Sequence, residues 1–419
     1  MQSGRNHTHN PDRNPVFPAL TINPELLRPN STQRRKDAKT QSECSKTRTR
    51  AVDGLSPAEC CDTRVPAKTL TTFAPLRLCA FALKICCLLA AGHAADAELL
   101  STTAKAATAR VVIVTNPRAT IAYQTRPEII QAMVDTGITA LTGSNSPAAA
   151  WTSLIATQDI VGIKVYAAPG ATCGTRHAVV AAVVRGLLSA RVPAEHIVIW
   201  DRRLEDLRRA GFGELAARLG VRLAGAADAG YDEKVFYETA LLGNLLWGDL
   251  EFGNKLPGAG RKSFVSKLLT HDLTRIINLA PLLNHNGAGT AGNLYGLAFG
   301  SVDNTQRFED SADRLATVVP EICALPALGD RVALNITDAL LCQYAGTDRG
   351  LLHYSATLNE LRFSRDPVAL DVLSLEELER QRERAGFSGT PANPDLIRNA
   401  ALLELGTGDR KKIQVDNFR

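Results

Sequence analysis

Between Asp159 and Asp201 the chain reads as strand, helix, strand, and this unit limits the fold more than any other feature. Asp159-Ile-Val-Gly-Ile-Lys-Val165 is a short β-branched run, Arg176–Arg191 is apolar on nearly all sides, and His196-Ile-Val-Ile-Trp200 is a second apolar run. Two strands joined by a crossover helix within about 40 residues must lie parallel, because a hairpin return would need only a short turn. The crossover is right-handed. Strands of this kind are apolar throughout when helices cover both faces of the sheet.

The same alternation extends in both directions. Arg110–Thr115 reads as a strand, followed by a helix through about Thr136 with Thr125 as its N-cap and Pro127 in its first turn. Ala148–Leu154 is irregular or a short helix, and Arg202–Ala210 is an amphipathic helix. Residues 225–262 are Gly-rich and read as a surface excursion. Further on, Arg275–Leu279 and Arg331–Thr337 read as strands and Leu358–Ser364 as a further extended piece. Asp310–Cys323 reads as a helix, and Asp366–Arg384 as another, with Asp366 as N-cap and Pro367 at N1. The expected fold is α/β, a mostly parallel sheet with helices on both faces. It occupies residues 110–390 in two similar halves, about 110–260 and 270–390. Residues 391–419 are expected to be a tail with one short helix, Pro394–Leu405.

The N-terminal region has a different character. Residues 1–70 are polar, lack hydrophobic periodicity, and read as disordered or as sequence upstream of the true start. In residues 71–97, Arg77 precedes an apolar run from Leu78 to Ala91 broken only by Lys84, and Ala94 and Ala97 close small-residue sites. A basic flank, a short apolar stretch and a small-residue site make a secretory signal. Residues 98–109 are a linker. The expected location is therefore periplasmic or extracellular. The run is too short for a membrane span, which needs about 20 apolar residues.

Charge follows the same division. The first 94 residues hold 14 Lys and Arg against 7 Asp and Glu, and the remainder 34 against 36. The net +5 thus belongs to the leader, and the near-neutral body gives no electrostatic reason to bind nucleic acid. Of nine cysteines only Cys173, Cys323 and Cys342 lie in the body. They read as buried apolar side chains. Three scattered thiols cannot supply a four-thiolate iron–sulfur cluster, so none is expected. His177, near Cys173, reads as a helix-start residue rather than half of a metal site.

In open α/β sheets, ligands bind beyond the carboxyl ends of the parallel strands. Lys164 and Tyr166, Asp201 and Arg202, Asn284 and His285, Asp338, and Asp366 follow or close the successive strands. A parallel sheet aligns those ends, so Lys164, His285, Asp338 and Asp366 are expected to converge on one pocket.

Four segments carry a resemblance: Val161-Gly-Ile-Lys-Val165; Ile276-Ile-Asn-Leu-Ala-Pro-Leu-Leu-Asn-His285; Gly292-Asn-Leu-Tyr-Gly296; and Ser364-Arg-Asp-Pro-Val-Ala-Leu-Asp371. Ile336-Thr-Asp-Ala339 joins them. In order and spacing, across about residues 110–385, they resemble the family named domain of unknown function 362. The resemblance implies a two-part α/β fold, sometimes beside a ferredoxin module, with no settled activity. The chain departs from the family pattern at Ala280, Leu283 and Gly292, where a proline and two lysines are usual, and at Tyr166, where an asparagine is usual. Loss of two cations alters any preference for an anionic substrate.

The expected roles are electrostatic binding by Lys164, proton transfer by His285, substrate contacts from Asn293, Asp201 and Asn284, and metal binding or orientation by Asp338 and Asp366. The cofactor is unknown, a divalent metal being the candidate. The reading is an exported protein with a small-molecule or metal-dependent pocket, and the alternative is a non-catalytic extracytoplasmic binding protein. A redox or periplasmic protein is the candidate partner. A weaker alternative rests on Gly287-Ala-Gly-Thr-Ala-Gly292, which spells G-x-G-x-x-G. A dinucleotide fingerprint also needs an acid at the end of the next strand, and Glu309 and Asp310 instead open a helix, so a tightly packed loop is favoured. Gly258-Ala-Gly-Arg-Lys-Ser263 has the wrong spacing for a P-loop.

N-terminal sequencing of the mature protein should return a chain beginning at Ala95 or Glu98. A mature form that retains residues 30–70 would rule out the signal.

Overall fold

The computed structural model describes residues 108–239, 261–346, 349–387 and 393–419. The signal segment and the Cys-rich leader lie outside the described residues. In chain order the elements are β1 (Ala109–Thr115), β2 (Thr120–Ile121), β3 (Gln124–Thr125), α1 (Pro127–Thr142), α2 (Pro147–Thr152), β4 (Val161–Lys164), α3 (His177–Ser189) and β5 (Ile197–Asp201). There follow α4 (Leu204–Arg209), α5 (Phe212–Leu219), β6 (Arg222–Gly225), β7 (Tyr231–Glu238), β8 (Lys262–Ser266), β9 (Arg275–His285) and β10 (Gly289–Thr290). The chain continues through α6 (Tyr295–Ser301), α7 (Ala312–Cys323), β11 (Val332–Gln343), β12 (Ser355–Ser364), α8 (Pro367–Arg384), α9 (Asp395–Leu402) and β13 (Ile413–Phe418).

One sheet carries the body, in the order β13-β1-β12-β11-β9-β4-β5-β6, with β10 folded back on β9. The two expected halves share it, the first through β1, β4, β5 and β6 and the second through β9, β11 and β12. Every pairing along this path is parallel except the two made by β12, which is antiparallel to both β1 and β11. The fold is therefore α/β with a mostly parallel sheet. Alternate side chains divide between two cores. Val112, Val161, Ile163, Ile199, Ile277, Leu279 and Ile336 pack with α1 and α3 on one face. Val111, Val198, Trp200 and Ile276 pack with α6, α7, α8 and α9 on the other. Coverage on both faces is why these strands read as continuous apolar runs.

Several boundaries differ from the sequence expectation for identifiable reasons. Asp366 and Pro367 cap α8 as expected, the Asp366 carboxylate accepting from Ala369 N–H at 2.8 Å. For α1 the N-cap is Arg126, with no side-chain cap, and Thr125 ends β3 instead. β9 runs past Leu279 to His285 with Pro281 inside it. Pro281 is tolerated because it stands at a register break, where β11 bulges between Asp338 and Cys342 and needs no N–H from it. The expected tail is not a tail. After α9 it supplies β13, an edge strand parallel to β1. That strand, Ile-Gln-Val-Asp-Asn-Phe, is mostly half-buried, and only Ile413 and Val415 mark its core-facing side, too short a pattern to read as a strand.

Two glycines in helices offer a test. A Cβ at Gly137 in α1 would overlap the Phe363 ring of β12, whereas one at Gly213 in α5 would meet nothing within 4 Å. Gly137→Ala should lower stability in urea unfolding by about 1–3 kcal/mol through overpacking. Gly213→Ala should raise it by roughly 0.5–1 kcal/mol.

Candidate functional site

The nominated side chains fall into separate groups. Lys164, only 2% exposed, closes β4 and passes under Gly300, where a Cβ would strike its aliphatic stem. Its Nζ donates to Asp201 Oδ1 at 2.8 Å and to the Val165 carbonyl at 2.7 Å. Asp201 in turn accepts from Ala167 N–H and Arg202 N–H, both at 2.8 Å. The expected cationic anchor and the expected substrate contact are thus each other's partners, an ion pair fastening the ends of β4 and β5.

Asp338, fully buried, is likewise engaged. Its carboxylate accepts from the Arg176 guanidinium at 2.9 Å, from Arg176 N–H at 3.0 Å and from Leu340 N–H at 3.3 Å. The loop after β4 reaches Asp338 by crossing β9, where Thr175 Oγ1 donates to the Leu279 carbonyl and accepts from Tyr166 N–H. Asp366 accepts from Ala369 N–H and from Thr407 N–H at 2.7 Å, tying the chain after α9 to the start of α8.

The expected metal pair of Asp338 and Asp366 is therefore corrected. The lone pairs of both carboxylates are directed at N–H donors, and β12 runs against its neighbours. Its carboxyl end, Ser364, pairs with Asn335 and through it with Asn278, seven residues before His285 on β9. At about 3.3 Å per residue, Asp366 lies more than roughly 20 Å from His285 along the strand direction. Convergence fails for Asp366 because the sequence does not declare the direction of an extended segment. Among the described residues no three His, Cys, Asp or Glu side chains form a group that could hold a metal ion.

His285 does stand at the carboxyl edge, half-buried at the end of β9. Its Nδ1 accepts from Ala288 N–H at 3.0 Å, so the neutral ring carries its proton on Nε2. The ring packs on Tyr295 with centroids 4.1 Å apart, and Tyr295 stacks on Phe299 at 4.3 Å. Asn284 accepts from the Arg382 guanidinium of α8 and donates to Asn286 at 3.0 Å.

Asn293 belongs to a cluster that the strand-end argument does not find. Lys164, Asn278, Asn335 and Ser364 are cross-strand neighbours at one level of β4, β9, β11 and β12. Above this row Asn278 donates to the Asn293 carbonyl at 2.8 Å and to Asn335 at 3.1 Å. Asn293 Nδ2 donates to Thr337 Oγ1 at 3.0 Å and to Asp371 at 3.1 Å. Asp371, on the buried side of α8, also accepts from Asn293 N–H at 2.7 Å and Leu294 N–H at 2.9 Å. Burial raises its pKa to about 6, the N–H donors opposing that rise. The signal for the row was an Asn or Lys standing inside a doubly covered apolar strand.

Packing accounts for Gly287, Gly292 and Gly296, while Gly289 stands at a positive φ of 83°. A Cβ at Gly292 would overlap the Asp371 carboxylate, one at Gly287 would lie 2.7 Å from Leu315, and one at Gly296 would lie 2.9 Å from the Ala291 carbonyl. His177 Nε2 is 2.7 Å from the Ala210 carbonyl and its ring meets Phe212 edge-on. Burial lowers its pKa, and it holds α3 to the α4–α5 corner. The three body cysteines are free, buried thiols.

The buried Asp338 and the half-buried Asp366 differ in what their loss leaves behind. Asp338→Ala strands the Arg176 charge and should cost about 3–5 kcal/mol in chemical denaturation. Asp366→Ala removes a cap and should cost about 1 kcal/mol. Equal, small losses would show that the Arg176 pair is not needed for folding.

No family profile and no curated protein sequence matches the chain. A crystal structure of a Thermotoga maritima protein, solved as a structural-genomics target, is similar at 12% identity with a TM-score of 0.34. The match covers 62% of this chain and 59% of that one, so the chain spans less than two thirds of that protein's length.

Proposed function

We propose that this chain is an exported small-molecule-binding protein of the domain of unknown function 362 type, with its site at the carboxyl edge of the sheet around His285. The observation that carries the reading is the setting of that ring. It closes the long strand β9, its tautomer is set by Ala288, and it lies against Tyr295. A ring so held has one defined tautomer and one fixed orientation at the carboxyl end of β9, the preorganisation a binding site needs. Export rests on the basic, apolar and small-residue succession of residues 71–97. No helix among the described residues is long and apolar enough to cross a membrane.

The charge of the edge points to a ligand with little charge of its own. Lys164 is balanced by Asp201, Arg176 by Asp338 and Arg382 by Glu379. Leu283 and Gly292 stand where the resembling family carries lysines. Binding should therefore change little with ionic strength, since screening acts on unbalanced charge.

A second reading, catalysis, is favoured by the same tautomer, because a neutral imidazole with its proton fixed on Nε2 is suited to polarise a substrate oxygen without giving up that proton. The two are separable by following the ligand itself, recovered unchanged in one case and converted in the other.

The test is a thermal-shift screen of the purified protein against neutral metabolites, followed by His285→Ala. Loss of the ligand-induced shift at least tenfold in affinity, with unfolding in the absence of ligand moved by less than about 1 kcal/mol, supports the site. Undiminished binding by the variant excludes His285 from it. A variant that fails to fold assigns His285 a structural role.

A further inference from the structure

We propose that Asp371, Asn293 and Thr337 form a proton-sensitive clasp that governs how often the segment Gly292–Leu294 detaches from α8. Three N–H groups of that segment, two backbone and one side-chain, converge on one carboxylate, and Gly292 lies so close that any side chain there would displace it. The loop leads directly into α6, whose Tyr295 supports the His285 ring, so detachment would disturb the carboxyl edge from below.

What makes the clasp sensitive is the absence of a countercharge. Asp371 is wholly buried, and no Lys, Arg or His among the described residues forms an ion pair with it. The groups around it have been assigned elsewhere or add no positive charge. From α7 there is Cys323, whose Sγ is 3.4 Å from the Leu294 carbonyl and whose thiol is held neutral by burial. From β9 and β11 there are Asn278, Asn335 and Thr337, all uncharged. Arg362 of β12 is spent on Glu360, Glu377 and the Leu373 carbonyl, and Lys164 of β4 on Asp201. Asp366, at the start of α8, adds repulsion.

Asn293 contributes a second, independent sign of tension. Among the described residues its buried Oδ1 has no hydrogen-bond partner, because the amide turns its NH2 toward Asp371 and Thr337. An ionised Asp371 demands that orientation. A protonated one does not, since its hydroxyl and that of Thr337 could both donate to the amide oxygen after a flip.

The direction follows from linkage. The closed clasp titrates near 6 and an opened, hydrated one near the ordinary 3.8, so closure is favoured by the proton. Stability of the clasp is fully present below about pH 3.8 and is lost as pH rises through about 6. The segment is therefore held more tightly in acid and released more often at neutral pH.

Amide hydrogen exchange of the full chain, read by NMR and corrected for the intrinsic pH dependence, measures the opening constant of Asn293 and Leu294. It should rise about tenfold between pH 5 and pH 7.5, while Val134 in α1 changes less than about twofold. Asp371→Asn should abolish the rise. A flat profile, a rise that persists in Asp371→Asn, or an equal rise at Val134 would each overturn the proposal. Should the variant not fold, titration of the Asp371 carboxyl carbon in the unaltered chain decides. A midpoint near 6 upholds the clasp and one below about 4.5 removes it.

Discussion

A sheet covered by helices on both faces gives a charged side chain no water to lie in, and the arrangement of polar groups in this protein follows from that constraint. Desolvating an isolated charge costs several kcal/mol, so each buried charge must meet an opposite one or shift its protonation. Lys164 finds Asp201 and Asp338 finds Arg176, each within hydrogen-bond distance and each supplemented by backbone donors or acceptors. Asp371 finds only N–H groups, and its proton affinity rises accordingly. The same physical demand thus yields fixed buried ion pairs, Arg362 with Glu377 among them, and one adjustable carboxylate.

The pairs also explain how a short crossover loop is held over the sheet. Strand β4 is four residues long and cannot by itself anchor the twelve residues that lead to α3. Thr175 fastens that loop to a β9 carbonyl and Arg176 fastens it to β11, two strands away. Because Arg176 uses both its backbone N–H and its guanidinium on Asp338, it fixes the start of α3 as well as the loop. A carboxylate in this position is a structural fastener, and its place just after a strand end is what made it resemble a ligand-binding group.

How much could be read from the sequence depended on whether a feature was local. The unit from Asp159 to Asp201 was legible because periodicity, length and apolar content are properties of the segment itself. The N-cap at Asp366 was legible for the same reason, since cap and capped amides are three residues apart. The direction of β12 was not, because an extended run such as Leu358–Ser364 pairs equally well either way, and the choice is made by its partners β1 and β11. That single ambiguity moved Asp366 from the carboxyl edge to the opposite one. β13 was not legible because an edge strand buries little, and its alternation is confined to Ile413 and Val415, too few positions to tell a strand from a loop. Lys164 and Asp201 were both visible as polar groups at strand ends, but that they neutralise each other depends on β4 and β5 being neighbours in register.

The polar row across β4, β9, β11 and β12 suggests why such groups persist in a core where Val or Ile would pack as well. Asn278 joins two strands and the loop before α6 by donating to Asn335 and to the Asn293 carbonyl. An apolar residue at 278 would leave the Asn293 carbonyl without its donor, at a cost of about 1–3 kcal/mol for a buried unsatisfied group. Apolar packing alone would also hold the Gly292–Leu294 segment against the sheet without regard to protonation. With Asn278, Asn293, Thr337 and Asp371 in contact, the attachment depends on hydrogen-bond polarity, and polarity can be changed by one proton. The loop that begins at His285 ends at this network, so the same short stretch of chain connects a half-buried imidazole at the edge to a titratable carboxylate beneath the sheet.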